Sequence, residues 1–206
     1  FRRVLFRSQD EAMGISWDYS RNGGCGSFGF DMPIKYCKEL TLGGNFNIKI
    51  YWRNPLTKSF DLRFQGRIED KGHDVSGNEE LIHVQGSGYQ SSLADINISE
   101  IYTGIEVSAI VKDLLDNHIV PNTDITYDIG DIESTGFTPS EIKFSGSALD
   151  AFETLASTVG SREWGVNANR KFFFKARSSS VGFRFPMSGK VLSFARSEEH
   201  TSELQS

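Results

Sequence analysis

Between Phe46 and Ile68 the side chains switch from apolar to polar with a period of two. Phe46, Ile48 and Ile50 are interleaved with Asn47, Lys49 and Tyr51, and Phe60, Leu62, Phe64, Gly66 and Ile68 with Asp61, Arg63, Gln65, Arg67 and Glu69. A helix would scatter such a set around its axis, whereas a strand sends alternate residues to opposite faces. The segment therefore predicts antiparallel strands with one buried and one wet face. Asn54-Pro55-Leu56-Thr57 separates the first pair, and Asp74-Val75-Ser76-Gly77-Asn78 precedes another strand around Leu81 to Gly86, so both connections carry turn residues. The result is a meander, with Phe28 and Phe30 predicting a further strand upstream. Such a sheet protects its edges by curling into a small barrel or sandwich. Sixteen Phe against three Met fit an aromatic, β-rich interior.

The period changes after Ile101. Val107, Ile110, Val111, Leu114, Leu115 and His118 recur at helical spacing and predict an amphipathic helix, ended by Pro121. Thr103 and Glu106 have the spacing of a capping box, with Tyr102 and Val107 placed for a hydrophobic staple. Short extended pieces are expected at Ile125 to Tyr127 and Glu141 to Phe144. A second helix then buries Leu149, Phe152, Leu155, Ala156 and Val159, with Ser147 as N-cap and Gly160 at its C-terminal end. Trp164-Gly165-Val166 and Lys171 to Lys175 flank Asn167-Ala168-Asn169-Arg170, a hairpin whose Asn residues tolerate left-handed geometry. Further β segments are expected near Val181 to Phe185 and Lys190 to Phe194. The fold class is thus α+β and β-rich: a small β-barrel or curled antiparallel meander, then an α+β module with two helices packed on a sheet. The expected division is 9–99 for the barrel-like domain, N-terminally incomplete, and 100–195 for the α+β domain.

The two ends of the 206-residue chain read differently from the rest. Leu5-Phe6-Arg7-Ser8 can be encoded by CTCTTCCGATCT, and Arg196-Ser197-Glu198-Glu199 by its reverse complement, AGATCGGAAGAG. Both resemble translated sequencing-adapter DNA, the second through His200 to Ser206, so 1–8 and 196–206 are expected to be artefactual ends of a fragment of a longer protein. Without them the 22 basic and 27 acidic residues fall to 18 and 24, a net charge of −6. That acidic balance excludes a nucleic-acid binder that works by counterion release from a basic face. No apolar run reaches the roughly 20 residues that span a bilayer, so stable membrane insertion by a helix is not expected. Cys25 and Cys37 are too few for a disulfide scaffold and are expected as free thiols.

Catalytic groups are sparse. His73, expected in a charged turn region, His83 in a strand and His118 at the edge of the helix face read as solvated, sheet-surface and boundary residues. There is no Gly-x-Ser-x-Gly elbow, and the Cys25 to Cys37 spacing lacks the close pairs of a structural zinc site. Asp124, Asp128, Asp131 and Glu133, in a Gly-containing loop, are the best candidates for a metal site. They lack the alternation and closing Glu of an EF-hand, and a solvated acidic loop is the preferred reading. Gly86-Ser87-Gly88 reads as a strand end with close backbone approach. Arg170, Lys171, Lys175 and Arg177 around Phe172 to Phe174 superficially suggest a nucleic-acid platform, but a core hairpin with charged ends, at least one Phe facing inward, is preferred. No catalytic residue, metal or cofactor is expected.

Taken in order, Gly23-Gly24-Cys25-Gly26-Ser27-Phe28, the meander ending in Gly86-Ser87-Gly88-Tyr89, Val107 to Leu115, Ile119-Val120-Pro121-Asn122-Thr123-Asp124-Ile125, and Glu163-Trp164-Gly165-Val166 through Asn169 to Phe174 resemble tail hub proteins of tailed bacteriophages. The similarity covers most of Gly23 to Phe194. What the resemblance implies is a non-enzymatic virion protein, assembled in the host cytoplasm, that joins the tail tube to the spike or fibre. Its partners would be copies of itself in a ring, a trimer being favoured, together with distal tail, tape-measure and fibre proteins, and no sequence-specific nucleic acid. Two other readings stand beside it. A carbohydrate-binding module would display Trp17, Trp52 or Trp164 as a sugar platform, and a fragment of a cell-wall hydrolase would need a pocket with paired carboxylates or a histidine-held metal.

Overall fold

The computed structural model describes residues 12–37, 47–53, 57–76, 79–160 and 162–177. Both ends read as adapter-derived, and the β segments expected near Val181 and Lys190, lie outside them. Ten strands are found among the described residues. The first five are β1 (Met13–Ser20), β2 (Asn22–Pro33, followed by the helical turn α1, Ile34–Cys37), β3 (Asn47–Arg53), β4 (Phe60–Ser76) and β5 (Glu79–Gly88). β3, β4, β5 and β2 pair antiparallel in that order, and β1 pairs with β2. This is the meander that the alternation predicts, curled into a half-barrel.

The curl encloses Phe28, Phe30, Met32, Ile48, Ile50, Phe64, Ile68 and Val84. Phe28 stacks on Phe30 at 6.3 Å and meets Phe64 at 5.4 Å. Ring pairs in these offset and tilted arrangements add a fraction of a kcal/mol to about 1.5 kcal/mol beyond area burial. Asp74, Val75 and Ser76, expected before the next strand in a turn, belong to β4, in which Ser76 pairs with Glu79 and His73 lies opposite Ile82; Gly77 and Asn78 lie outside the described residues. Gln65 also departs from the alternation, being 4% exposed on the face expected to be wet. There its side chain bonds the hydroxyl of Tyr89, which donates to Asn47 Oδ1 at 2.5 Å. Gly86 and Gly88 allow close backbone contact, because a Cβ on either would sit 2.0 Å from a carbonyl oxygen, of Arg67 and Cys25 respectively.

After a 3-10 turn (Tyr89–Leu93) come β6 (Asn97–Thr103), α2 (Val107–Leu114) with a π turn (Leu115–Ile119), β7 (Thr126–Ile132), β8 (Glu141–Ser147), α3 (Ala148–Val159), β9 (Arg162–Val166) and β10 (Lys171–Ala176). β6 and β8 form a separate two-stranded sheet. β9 and β10 make the expected hairpin, β10 continues to β7 in parallel, and β9 runs parallel to the start of β2. One sheet therefore extends β3-β4-β5-β2-β9-β10-β7. Its second core holds the apolar faces of both helices against Trp164, Val166, Phe172 and Phe174. Phe152 of α3 lies 4.5 Å from Phe172 and 6.0 Å from Trp164.

Several local expectations are corrected. The N-cap of α2 is Glu106 and not Thr103, which belongs to β6; no side chain caps the helix, and the staple positions pass to Ile105, which is exposed, and Ile110. The left-handed residue of the β9–β10 turn is Arg170, at φ 62°. Asn167 contributes differently, its Oδ1 accepting from the amides of Asn169 and Lys171 at 2.8 and 3.1 Å. All three Phe of β10 are buried, Phe172 and Phe174 within the second core and Phe173 at 6% exposure with Lys175 Nζ 5.2 Å from its ring centre. At α3 the expectations hold: Ser147 Oγ accepts from the Asp150 amide at 3.1 Å, and Gly160 ends the helix at φ 66°.

Candidate functional site

Two of the four acidic residues singled out as metal candidates lie in a strand and not in a loop. Asp128 and Asp131 are in β7, and Asp124 and Glu133 lie just outside its two ends. β7 runs beside β10 in parallel, which brings them to the basic residues of the hairpin. Lys171 Nζ bonds the Asp128 carboxylate, which together with Asp131 raises the Lys171 pKa. Arg170 reaches Asp124 at 3.2 Å and Arg162 reaches Glu133 at 3.5 Å; Glu133 also accepts from the Ala176 amide at 2.8 Å. A divalent cation needs carboxylates converging on one point. These instead fan out along β7 and its flanks: Asp124, Asp128 and Glu133 each meet a cation or amide, and Asp131 has no salt-bridge partner among the described residues. Among the described residues no group of three His, Cys, Asp or Glu side chains is arranged to hold a metal.

The histidines form separate pairs. His83 Nδ1 lies 2.7 Å from Asp31 Oδ1 across the β2–β5 ladder, and His118 Nε2 lies 3.2 Å from Glu100 Oε1, linking the π turn to β6. Cys25 is a free, buried thiol, and burial raises its pKa, so it stays protonated and poorly nucleophilic. An open cleft of about 780 Å³ lies between the half-barrel and the segment after the π turn, lined by Asn47, Arg67, Tyr89, Asp95, Thr123 and Asp124. Its two carboxylates are already engaged: Arg67 holds Asp95 at 3.2 Å and Arg170 holds Asp124, while the Arg170 guanidinium lies 5.6 Å from the Tyr89 ring centre. These are the contacts of a joint between two packed bodies.

The three tryptophans have three environments. Trp164 is 2% exposed in the second core, Trp17 is half-buried, and Trp52 is 54% exposed. Trp17 and Trp52 meet with ring centres 6.0 Å apart and planes at 56°. They lie on β1 and β3, which do not pair with each other. A flat sugar platform would need near-coplanar rings.

Glu106 carries a role that sequence spacing missed. Its Oε1 accepts from Ser134 Oγ at 2.7 Å and from the amides of Thr135 and Gly136 at 2.7 and 2.9 Å. These bonds hold the carboxyl down to a pKa of about 2. The signal was the turn-forming Ser134-Thr135-Gly136, but nothing in the spacing says which acid receives it.

The sheet itself offers a different kind of site. Among the described residues no strand pairs with the outer edges of β3, β7 or β1. Unpaired N–H and C=O groups along an edge are a template for another strand.

No protein-family model and no curated protein matches the sequence. The fold is similar to that of the 43 kDa tail protein of prophage MuSo2 from Shewanella oneidensis, with a TM-score of 0.52 and 12% identity over 82% of this chain and 52% of that one. It is also similar to the tail protein from Neisseria meningitidis MC58, with a TM-score of 0.48 and 15% identity over 72% of this chain and 41% of that one. The chain thus spans about half, or less, of the length of these structures. At such identity the likeness is one of architecture: the half-barrel with its helix-covered extension is a fold found in a prophage tail protein.

Proposed function

We propose that this chain is a structural component of a phage tail tip or baseplate hub, that it forms a ring connecting the tail tube to the spike or fibre, and that it is not an enzyme. The observation that carries the reading is the fold shared with a prophage tail protein over 82% of the chain. The engagement of the candidate carboxylates by Arg67, Arg162, Arg170 and Lys171 supports it from the other side, since these acids work as ties within the fold. So do the sheet edges that no strand pairs with among the described residues, which suit a protein that functions by contact with neighbours. The carbohydrate-binding reading is weakened by the burial of Trp164 and the tilt between Trp17 and Trp52. Negative-stain microscopy and sedimentation of the product of the uninterrupted gene test the proposal. Closed rings of a few subunits are the expected outcome, and a product that remains monomeric at high concentration overturns the ring.

A further inference from the structure

The long sheet ends in two unlike edges. β3, at one end, carries Lys49 and Arg53 and no acidic side chain; β7, at the other, carries Asp128 and Asp131 and no basic one. Both strands are seven residues long, and each has an irregularity in its ladder, between Ile50 and Tyr51 in β3 and between Tyr127 and Ile132 in β7. Each also shows solvent a large apolar side chain, Trp52 at 54% and Ile129 at 77% exposure. Lys171 takes up Asp128 within the chain, while Lys49, Arg53 and Asp131 have no salt-bridge partner among the described residues. Edges of this kind associate unless charge directs or prevents it. Here like charges oppose β3 meeting β3, or β7 meeting β7, and so disfavour the two-fold contact in which one edge faces its own copy. Opposite charges favour β3 meeting β7.

We propose, resting on the ring-forming reading above, that copies of this chain associate head to tail, the β3 edge of one against the β7 edge of the next. The partner is a second copy of the chain, and the contact is heterologous, so repeating it gives a ring if the rotation closes. Because its specificity is partly electrostatic, association weakens as ionic strength rises.

The test is the sedimentation mass of the full chain and three charge variants, with circular dichroism to check that each is folded. Lys49→Glu with Arg53→Glu makes both edges acidic, and Asp128→Lys with Asp131→Lys makes both basic; each double variant should self-associate about a hundredfold more weakly. The variant with all four exchanges restores opposite edges and should recover the wild-type mass, which also controls for losing the Lys171 contact. A wild-type oligomer unaffected by either double variant overturns the β3–β7 contact and leaves the ring standing. A four-exchange variant that stays monomeric while folded overturns it as well. A wild-type chain that is itself monomeric at high concentration removes the ring and the contact together.

Discussion

Glu106 illustrates how one side chain can serve two elements. Its backbone opens α2, while its carboxylate gathers the hydroxyl of Ser134 and the amides of Thr135 and Gly136, holding the connection that follows β7. Its pKa is lowered from the usual 4.5 to about 2 in the folded chain. A lowered carboxylate contributes stability that is present above its unfolded value and lost as the pH falls through the folded one. Stability therefore declines between pH 4.5 and about 2. In Glu106→Gln that part of the slope should be absent, and at neutral pH the variant should be less stable by about 1 kcal/mol, allowing for solvent screening. Urea titrations at several pH values measure both. Sequence spacing assigned Glu106 to a capping box with Thr103 because the periodicity of the helix face does not mark its first turn. The strand β6 takes Thr103, and the cap shifts by three residues.

At the scale of elements, pattern and structure agree wherever one periodicity governs a whole segment. Val107, Ile110, Val111, Leu114 and Leu115 are all buried, as the helical spacing requires, and Ser147 caps α3. Ser147→Ala should cost about 1 kcal/mol in a thermal or urea unfolding experiment, since the Asp150 amide loses its acceptor. Agreement fails where a neighbour distant in sequence decides. Gln65 is polar and alternates correctly, yet it is buried, its side chain bonded to the hydroxyl of Tyr89, 24 residues on. Phe173 was free to face solvent by alternation alone, yet it is buried like its two neighbours. The acidic residues around β7 looked like a loop because Gly130 and four acids read as turn chemistry; pairing with β10 supplies the strand, and its basic hairpin supplies the counter-charges.

At the scale of the molecule, the two cores share a sheet through a short joint. β2 and β9 are aligned over Asn22, Gly23 and Gly24 against Trp164, Gly165 and Val166. Gly24 has φ 83°, and a Cβ there would come within 2.2 Å of the Val166 carbonyl oxygen, so both its backbone angle and its surroundings demand glycine. Gly24→Ala should destabilise the chain by about 2 kcal/mol or more and lower the hydrogen-exchange protection of 164–166 ahead of that of the half-barrel interior. The sequence displays these glycines plainly but cannot show that Gly23 faces Gly165 and Gly24 faces Val166, because about 140 residues of chain close that loop at an entropic cost no local pattern reports.

That joint also has a mechanical meaning. In an assembly linked through β3 and β7, tension enters at one end of the sheet and leaves at the other, crossing every ladder at right angles to its strands. Ladders loaded this way open one hydrogen bond at a time, so the shortest gives way first. β4 and β5 are aligned at ten positions, whereas β2 with β9 and β7 with β10 are aligned at three each, so these two crossings are the ones that yield first. Opening of the β2–β9 crossing would part the half-barrel from the helix-covered core, each with its own hydrophobic cluster.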